Sequence, residues 1–276
     1  MDKGCIEVLD TYAERWALVT GASSGIGAAF ARMLAGRGMH LVLVARREDR
    51  LNELAEELDT RHGTRCEIIP ADLSLPGQAN TLFETISSRG IDVELLVNNA
   101  GFGFVGTVDD TDTDRMLQMI QLNITALTEL TYLCVPGMLE RGHGGIINVS
   151  SLAAFQPVAY MPTYSAGKAF VLHFSEALWA ECRERGVTVL ALCPGTTRTD
   201  FFDVAGVTGW LKKHRAHSSD YVVRKALKAL EKGRQCCIPG FANKLLSLGV
   251  RLARRKMVVL QSMRFFRPRN QGDDSS

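Results

Sequence analysis

Ser151, Tyr164 and Lys168 are the residues of this chain whose chemical types and spacing could act together. They lie in the stretch NVSSLAAFQPVAYMPTYSAGKAF, where a strand-like run ends in two serines and a tyrosine follows a short apolar loop. A helix would place the Tyr164 phenol and the Lys168 ammonium group on one face, one turn apart. A phenol beside a cation, with a hydroxyl nearby, can bind an oxygen atom of a ligand by hydrogen bonds and donate a proton to it. The stretch therefore predicts acid–base chemistry.

The cation could also tune the acidity of the phenol. A free tyrosine titrates near pH ~10, and lowering its pKa to about 7 requires a preference for the phenolate of roughly 4 kcal/mol. A cation at about 4 Å supplies energy of that order at an effective dielectric constant near ~20. We therefore expect Lys168 to lower the pKa of Tyr164.

The elements that must position these residues follow from the hydrophobic pattern. Strands are predicted at the apolar runs WALVT, HLVLVA, CEIIPA, VELLVNNA, GIINVS and VTVLALCP. Helices are predicted between them, for example at EDRLNELAEEL and DRMLQMIQLNITALTELTYLCVPGML. Continuous apolar runs without polar alternation are typical of parallel strands buried on both faces. This order predicts a doubly wound α/β fold with a mostly parallel sheet of about seven strands and helices on both faces.

No linker or low-complexity segment interrupts the alternation of strands and helices. We expect one domain over residues 16–268, which includes a basic C-terminal helix. A short extension, 1–15, would precede it, and a polar tail, 269–276, would follow it.

The composition excludes several classes of protein. With 276 residues, 46% of them hydrophobic, the chain can bury a large core, which excludes a disordered or fibrous protein. The net charge of +2 and the pI near 8.2 are too balanced to indicate nucleic-acid binding. The cysteines lack Cys-x-x-Cys spacing and the histidines lack metal-ligand spacing, so we expect neither disulfides nor a metal site. With no signal-peptide pattern and no long apolar run, we expect a reducing, cytoplasmic location.

The glycine-rich sequence TGASSGIGAAFARML directly follows the first strand. Glycines there let the backbone approach a pyrophosphate, and the free amides at the start of a helix favour an anion. Three glycines can also serve an ordinary turn between a strand and a helix. Their position after the first strand favours a dinucleotide site, for which the candidate contacts are Gly21, Ser23, Ser24, Gly25, Ile26 and Gly27.

Several motifs together resemble the short-chain dehydrogenase/reductase family. They are Gly-x-x-x-Gly-x-Gly from Gly21, NNAG from Asn98, the serine at Ser151 and the Tyr-x-x-x-Lys pair, in this order. The resemblance extends from about Trp16 to about Ile238. It implies a Rossmann fold, a nicotinamide dinucleotide and oxidoreductase activity. Sugar-nucleotide epimerases share Tyr-x-x-x-Lys, but their different glycine spacing makes them a poorer match.

The resemblance also implies roles for the catalytic candidates. Tyr164 would protonate a carbonyl oxygen in the reductive direction, Ser151 would hold that oxygen, and Lys168 would serve both the ribose and the phenol. Asn123 matches the family's fourth member, which binds water and helps relay a proton to Lys168, although a mid-helix asparagine is often a satisfied core polar group. Gly167 departs from the commonest family pattern and costs up to ~1 kcal/mol relative to alanine, for which a close approach of cofactor or sheet is one explanation.

The second strand ends in LVLVARRED, where an adenine ribose should lie. A carboxylate there would suit NAD, whereas Arg46 and Arg47 suit the 2′-phosphate of NADP, with Arg46 as the main contact. The alternative is that the two arginines only solubilise the strand end. Asp72 resembles the family position that holds the adenine ring, although an aspartate in a turn is also a common cap.

Two further cofactor contacts are implied by the resemblance alone. Asn99 in NNAGFGF matches the family's cofactor contact, whereas Asn98 is expected to brace the sheet. Thr199 in PGTTRT matches the threonine that orients the nicotinamide carboxamide.

An apolar loop, DFFDVAGVTGWLKKH, follows the sixth strand, where family members cover the substrate. Such a loop can equally pack on its own domain. We expect the substrate to meet Ser151 and Tyr164 together with an apolar set that comprises Phe102, Phe155, Tyr160, Phe201, Phe202, Val207 and Trp210.

The C-terminal part is strongly basic, because Asp220 and Glu231 are its only acids between Trp210 and Asn270. The segment FANKLLSLGVRLARRKMVVLQSMRFFRP predicts one amphipathic basic helix. This helix could meet an anionic membrane surface, an acidic carrier protein or a partner subunit, or it could pack on its own domain.

These observations lead to a functional hypothesis. The tail departs from the shorter bacterial 3-oxoacyl-carrier-protein reductases and resembles the branch with hydroxysteroid dehydrogenases and long-chain 3-oxoacyl reductases. This implies an NADP(H)-dependent enzyme, a homodimer or homotetramer, that interconverts a hydrophobic ketone or 3-oxoacyl group and its secondary alcohol. The alternative is a non-catalytic dinucleotide-binding or membrane-docked interaction protein on the same fold.

Overall fold

A seven-stranded parallel sheet forms the centre of the molecule. The computed structural model describes residues 13–207 and 215–267, apart from the side chains of residues 202 and 203. The strands are β1 (Trp16–Thr20), β2 (His40–Ala45), β3 (Cys66–Pro70), β4 (Val93–Asn98), β5 (Gly144–Val149), β6 (Val187–Leu192) and β7 (Cys236–Cys237). Their order in the sheet is β3-β2-β1-β4-β5-β6-β7. All neighbouring pairs are parallel, as the uninterrupted apolar runs predicted.

Helices connect the strands and cover both faces of the sheet. In chain order they are α1 (Gly25–Ala35), α2 (Glu48–His62), α3 (Gln78–Ser88), α4 (Thr113–Ile120), α5 (Leu127–Arg141), α6 (Pro162–Cys182), α7 (Phe201–Val204), α8 (Ser219–Glu231), α9 (Phe241–Leu252) and α10 (Arg255–Phe266). The predicted doubly wound fold is confirmed. None of the described helices is long and apolar enough to cross a membrane.

Two apolar cores lie on the two faces of the sheet. On one face α1, α2 and α8 pack around Phe30, Leu34 and Leu227. On the other face α3, α5 and α6 pack around Leu130 and Leu178. Strands β4, β5 and β6 are fully buried between these layers. Burial on both sides explains why their sequences carry continuous apolar runs instead of an alternating pattern.

Two long helices predicted from periodicity are interrupted in the structure. The first divides into α4, a π-helical segment (Gln121–Ala126) and α5, so its register changes where it passes the candidate site. The second prediction, one basic C-terminal helix, is wrong, because the chain forms α9 and α10. Ala253 and Arg254 adopt extended backbone between these two helices.

The carboxyl ends of the strands converge on one edge of the sheet. The glycine turn follows β1, Asn98 ends β4, Ser151 follows β5 shortly after Val149, and Thr199 lies in the loop after β6. Open parallel sheets bind ligands at this edge. The fold therefore collects residues that lie far apart in the chain into one cleft region.

Candidate active site

Ser151, Tyr164 and Lys168 are brought together at the end of β5. Ser151 precedes a 3₁₀-helix (Leu152–Phe155), and its hydroxyl accepts a hydrogen bond from Ala153 N at 3.1 Å. Tyr164 and Lys168 lie one turn apart near the start of α6, which begins at Pro162. Ser151 lies close enough to Tyr164 for its hydroxyl to lower the pKa of the phenol. The predicted hydroxyl, phenol and cation thus form one cluster.

Burial controls the protonation of this cluster. It raises the pKa of Tyr164 to about 12, which the nearby Ser151 hydroxyl only partly offsets. Burial likewise lowers the pKa of Lys168 to about 8. A net lowering of the pKa of Tyr164, as expected from Lys168, is not found in the protein by itself, because burial outweighs the cation. The ammonium group lies 5.7 Å from the centroid of the phenol ring and donates a hydrogen bond of 2.8 Å to Val149 O.

Asn123 lies in the π-helical segment beside Lys168. An added Cβ on Gly101 would lie 2.8 Å from Asn123 Oδ1 and 3.6 Å from Lys168 Nζ, so both polar groups border one glycine. The Asn123 amide also clamps Phe102, accepting from its N–H at 3.2 Å and donating to its carbonyl at 2.9 Å. The buried amide is therefore bonded through both its oxygen and its nitrogen, and its predicted part in a proton relay stays a prediction.

Gly167 lies where α6 packs against the neighbouring helical segment. A Cβ there would lie 3.3 Å from Ile124 Cδ1, in the π-helical segment. The close approach is therefore between α6 and the neighbouring helix. Neither of the explanations suggested by the sequence, a cofactor or the sheet, accounts for this contact.

The glycine turn after β1 fits a dinucleotide. Gly21 and Gly25 adopt φ of 66° and 57°, and a Cβ on Gly27 would lie 2.2 Å from Gly21 O, so the turn is closed tightly on glycine. Ser24 precedes α1 without a side-chain cap, and the first turn of α1 carries no acid. The amides at this helix start are thus free of negatively charged competitors, as a pyrophosphate requires. Ile26 packs against the core, so only its backbone faces the turn.

Two arginines at the end of β2 border the glycine turn. Arg47 donates a hydrogen bond of 3.1 Å to Ser23 Oγ. Arg46 is exposed and lies 3.8 Å from Asp72 Oδ2. Asp72 also accepts from Ser74 N at 3.0 Å and from the Ser74 hydroxyl at 2.6 Å, so it caps its own turn. Arg47, predicted from the sequence as the lesser of the two contacts, is the arginine that touches the turn.

Thr199 and Asn99 flank the same turn. A Cβ on Gly25 would lie 2.8 Å from Thr199 Cγ2, which places this threonine against the turn. Asn99 donates from Nδ2 to Thr20 O at 2.9 Å and to Gly21 O at 3.3 Å. Its side chain therefore holds the glycine turn to the end of β4.

An apolar cluster surrounds the phenol of Tyr164. Phe201 lies 5.4 Å from the Tyr164 ring, and Phe102 packs in the same cluster. Phe155 does not join it, because it packs instead with Leu172 on another cluster. Tyr160 has φ of 64°, and its carbonyl accepts from Gly106 N at 3.0 Å. The Phe202 side chain and Trp210 lie outside the described residues, and Val207, which is described, is half-buried.

Two hydroxyl residues that build the site were not predicted from the sequence. Thr20 Oγ1 accepts hydrogen bonds from Asn99 N and Ala100 N, both at 3.0 Å, which ties the end of β4 to the glycine turn. Ser150 donates from Oγ to Lys168 O at 2.7 Å, which fixes α6 to the end of β5. Both are buried polar residues at strand ends. A polar residue at the end of a predicted strand was the signal in the sequence that could have identified both.

Asn98 braces the sheet, as expected. Its Nδ2 donates to Asn148 Oδ1 at 2.9 Å and to Thr131 Oγ1 at 3.0 Å. Asn148 in turn donates to Ser175 Oγ at 3.0 Å. Through these bonds β4 and β5 are fixed to α5 and α6. Within the described residues no cluster of three or more His, Cys, Asp or Glu could hold a metal ion.

The family model for the short chain dehydrogenases matches residues 15–206, more than half of the chain. The chain belongs to the short-chain dehydrogenase family. The matched range contains the glycine turn, NNAG, Ser151 and the Tyr-x-x-x-Lys pair. The predicted resemblance is confirmed.

Curated relatives come from the predicted branch of this family. A very-long-chain 3-oxoacyl-CoA reductase of Anas platyrhynchos is 38% identical over 185 residues, which make up 65% of this chain and 58% of that protein. A 7beta-hydroxysteroid dehydrogenase of Collinsella aerofaciens is 34% identical over 184 residues, which cover 67% of this chain and 69% of that protein. This chain therefore spans less than two thirds of the length of the first of these relatives.

A solved structure of the family is similar over nearly the whole chain. It is a short-chain dehydrogenase from Sphingobium yanoikuyae in complex with NADPH, with a TM-score of 0.79 and 32% identity. The similarity covers 95% of this chain and 100% of that chain. The similarity therefore includes the C-terminal part beyond the range of the family model.

Proposed function

We propose that this short-chain dehydrogenase is an NADP(H)-dependent oxidoreductase that interconverts a hydrophobic ketone or 3-oxoacyl group and its secondary alcohol. The observation that carries the proposal is the placement of Tyr164 and Lys168 one turn apart at the start of α6, with the Lys168 ammonium group 5.7 Å from the phenol ring, beside Ser151 at the end of β5. Relatives named as a 3-oxoacyl-CoA reductase and a hydroxysteroid dehydrogenase support the substrate class.

The proton would come from Tyr164. Ser151 and Tyr164 would both donate hydrogen bonds to the carbonyl oxygen, where negative charge develops during reduction. Burial raises the pKa of Tyr164 to about 12, so the phenol stays protonated and available as the acid at neutral pH. When bound, NADPH supplies the hydrogen and the electron pair that the carbonyl carbon gains. Tyr164 then gives its proton to the oxygen, and the product is the alcohol.

Lys168 would stabilise the phenolate that this transfer leaves behind. Its ammonium group lies 5.7 Å from the ring centroid, close enough for its charge to favour the phenolate. The hydrogen bond to Val149 O holds the ammonium group in place. The remaining ammonium protons are free to bind ribose hydroxyls and to return a proton to Tyr164 after turnover.

The preference for NADP would come from Arg46 and Arg47. The end of β2 carries these two guanidinium groups where a carboxylate would select NAD. Arg47 already contacts Ser23 in the glycine turn, and Arg46 is exposed beside it. A 2′-phosphate at this position would accept charge-assisted, bidentate hydrogen bonds from both. The NADPH complex of the Sphingobium yanoikuyae protein supports this choice.

The apolar cluster around Tyr164 would select the substrate. Phe102, Met161 and Phe201 present apolar surface next to the reacting hydroxyls, and Phe266 packs against the same cluster. Binding sites for hydrophobic ligands combine such apolar walls with a few polar groups that fix the orientation. A ketone flanked by hydrocarbon would therefore bind with its oxygen at Ser151 and Tyr164.

We further propose a homo-oligomer that forms through α5 and α6. Tyr132 on α5 and Phe170 on α6 are exposed aromatics, and both rings contact Phe174. Neighbouring exposed aromatics on two helices are typical of a subunit interface.

The test of catalysis is Tyr164→Phe, which deletes the proton donor and little binding surface. Turnover across a panel of ketones, 3-oxoacyl thioesters and secondary alcohols should be abolished, while the affinity for NADPH should stay within a few-fold. Tyr221→Phe, a tyrosine of α8, is the matched control and should keep wild-type turnover. Equal turnover of Tyr164→Phe and wild type would remove Tyr164 from the mechanism. NADPH binding without any turnover by wild type would favour the non-catalytic alternative.

The test of cofactor choice is the variant Arg46→Ala, Arg47→Ala. Each charge-assisted contact to phosphate contributes roughly 1.5 to 3 kcal/mol, or about 10- to 150-fold in affinity. The Michaelis constant for NADPH should rise by at least the smaller factor, while that for NADH should hardly change. Arg50→Ala, one turn further along α2, is the control. Equal losses for both cofactors would refute the assignment.

A further inference from the structure

Helix α9 exposes its apolar side to solvent. Phe241, Leu245, Leu248 and Leu252 recur at intervals of four, three and four residues and so form one row along the helix, which we call the apolar stripe. Their exposed fractions are 83%, 62%, 56% and 90%. Large apolar side chains on a surface helix normally face the core. Here the normal arrangement is reversed.

Small and polar residues face the domain instead. Ser247 is the buried residue of α9, and its hydroxyl donates to Lys244 O at 2.8 Å. Asn243 packs against Gly195, where a Cβ would lie 2.6 Å from its Nδ2. The side of α9 opposite the apolar stripe therefore contacts the domain. The outward direction of the apolar stripe follows from how the helix is seated.

The segment that carries the apolar stripe contains cations and no acids. Between Phe241 and Arg267 the sequence has no Asp or Glu, and its cations are Lys244, Arg251, Arg254, Arg255, Lys256, Arg264 and Arg267. Lys244 and Arg251 are seven residues apart and therefore border one edge of the stripe. An apolar row flanked by Lys and Arg is the pattern of a helix that lies in a membrane interface.

We propose that the apolar stripe of α9 and its flanking cations dock on an anionic lipid surface. A second copy of this chain is a poorer occupant, because a two-fold contact would oppose the cations of one copy to those of the other. A lipid surface needs no matching groove and accepts protruding leucines among its acyl chains, while the cations meet its phosphates.

The docking surface is continuous with the candidate active site. Helix α9 packs against the 3₁₀-helix that follows Ser151. Helix α10 follows directly, its Ser262 hydroxyl accepts from Ala159 N at 3.1 Å, and Phe266 packs on the apolar cluster of Tyr164. This part rests on the proposed function: a hydrophobic ketone dissolved in a bilayer would reach the site without crossing water.

The test is flotation of the purified protein with vesicles of phosphatidylcholine alone or mixed with phosphatidylglycerol. Wild type should bind the mixed vesicles, and added salt should weaken that binding. The variant Leu245→Gln, Leu248→Gln, Leu252→Gln should lose at least about 100-fold in affinity, because three leucines no longer enter the bilayer. The matched control changes three exposed apolar residues elsewhere, Leu75, Val108 and Leu117, to Gln.

A second variant tests the charges. Arg254→Gln, Arg255→Gln, Lys256→Gln should bind the mixed vesicles on the order of 100-fold more weakly, since each basic residue near an anionic membrane contributes about fivefold. Its control replaces three exposed cations of α8, Arg224, Lys225 and Lys228, by Gln. Equal binding of wild type to both kinds of vesicle, or equal losses in variants and controls, would overturn the proposal.

Other occupants of the stripe would give different results. Absence of vesicle binding, together with a dimer that the leucine variant turns into a monomer, would assign the stripe to a second copy. Absence of vesicle binding together with retention on polyglutamate would assign it to an acidic protein. Either result overturns lipid docking.

The proposed function is checked separately with a water-soluble ketone and no vesicles. The leucine variant should keep wild-type turnover in this assay. Wild type that floats but reduces no ketone would refute the proposed function and leave docking intact. Wild type that reduces ketones but does not float would do the reverse.

Discussion

Replacing the buried Lys168 by methionine should stabilise the fold at neutral pH, and the gain should disappear as the pH rises. Burial lowers the pKa of Lys168 from 10.5 to about 8, so keeping the residue charged costs about 3 kcal/mol at neutral pH. Methionine has a similar length and removes this cost, but it gives up the hydrogen bond to Val149 O, worth about 2 kcal/mol. The net gain in the free energy of unfolding at pH ~7 is about 1 kcal/mol.

The stability difference between Lys168→Met and wild type changes with pH because the folded and unfolded states bind protons differently. Between about pH 8 and the value of 10.5 in the unfolded chain, the unfolded wild type binds more protons than the folded one. Wild type therefore gains stability with rising pH, by about 1 kcal/mol from pH ~7 to ~9 and about 2 to 3 kcal/mol by pH ~10. The variant has no such group. The two stability curves should cross near pH ~9.

Urea unfolding followed by tryptophan fluorescence measures this difference at each pH. Lys228→Met, an exposed lysine on α8, controls for the loss of one positive charge. A difference between Lys168→Met and wild type that does not change with pH would refute the depressed pKa of Lys168. The variant should also lose turnover, so that stability and activity move in opposite directions.

Two further variants test how the site is built. Gly27→Ala should abolish NADPH binding in a fluorescence titration, because the new Cβ would lie 2.2 Å from Gly21 O, whereas Gly249→Ala, with open space at its Cβ, should bind as wild type does. Asn123→Ala should lower the free energy of unfolding by about 1 to 3 kcal/mol in urea, because it removes the partner of the N–H and the carbonyl of the half-buried Phe102. Normal NADPH binding by the first variant, or unchanged stability of the second, would contradict these assignments.

The fold could be predicted because the amino-acid composition of the strands indicates that they are buried on both faces. The residues LVLVA of β2 are apolar throughout, which is typical of a strand covered on both faces. The glycine turn was equally legible, because positive φ and close backbone contact leave few residue types able to replace glycine. β7 was not among the predicted runs, since two cysteines carry no recognisable pattern.

Other features depend on contacts that a linear pattern does not contain. The break between α9 and α10 has neither glycine nor proline at Ala253 and Arg254, so the sequence carries no helix-breaking residue at this point. The raised pKa of Tyr164 follows from burial, which outweighs a nearby cation and could be weighed only once the surroundings were known. The sequence also does not show which side of the 3₁₀-helix Phe155 occupies, and in the structure it packs on a different cluster.

The contacts of α10 bear on how this protein should be engineered. Exposed terminal helices such as α10 are often deleted to make a protein easier to crystallise. Here a stop codon before Arg255 would also delete Ser262, the partner of Ala159 N, and Phe266, part of the apolar wall beside Tyr164. The shortened chain would lose part of the apolar cluster around Tyr164. Single substitutions in the apolar stripe of α9 would leave these contacts of α10 intact.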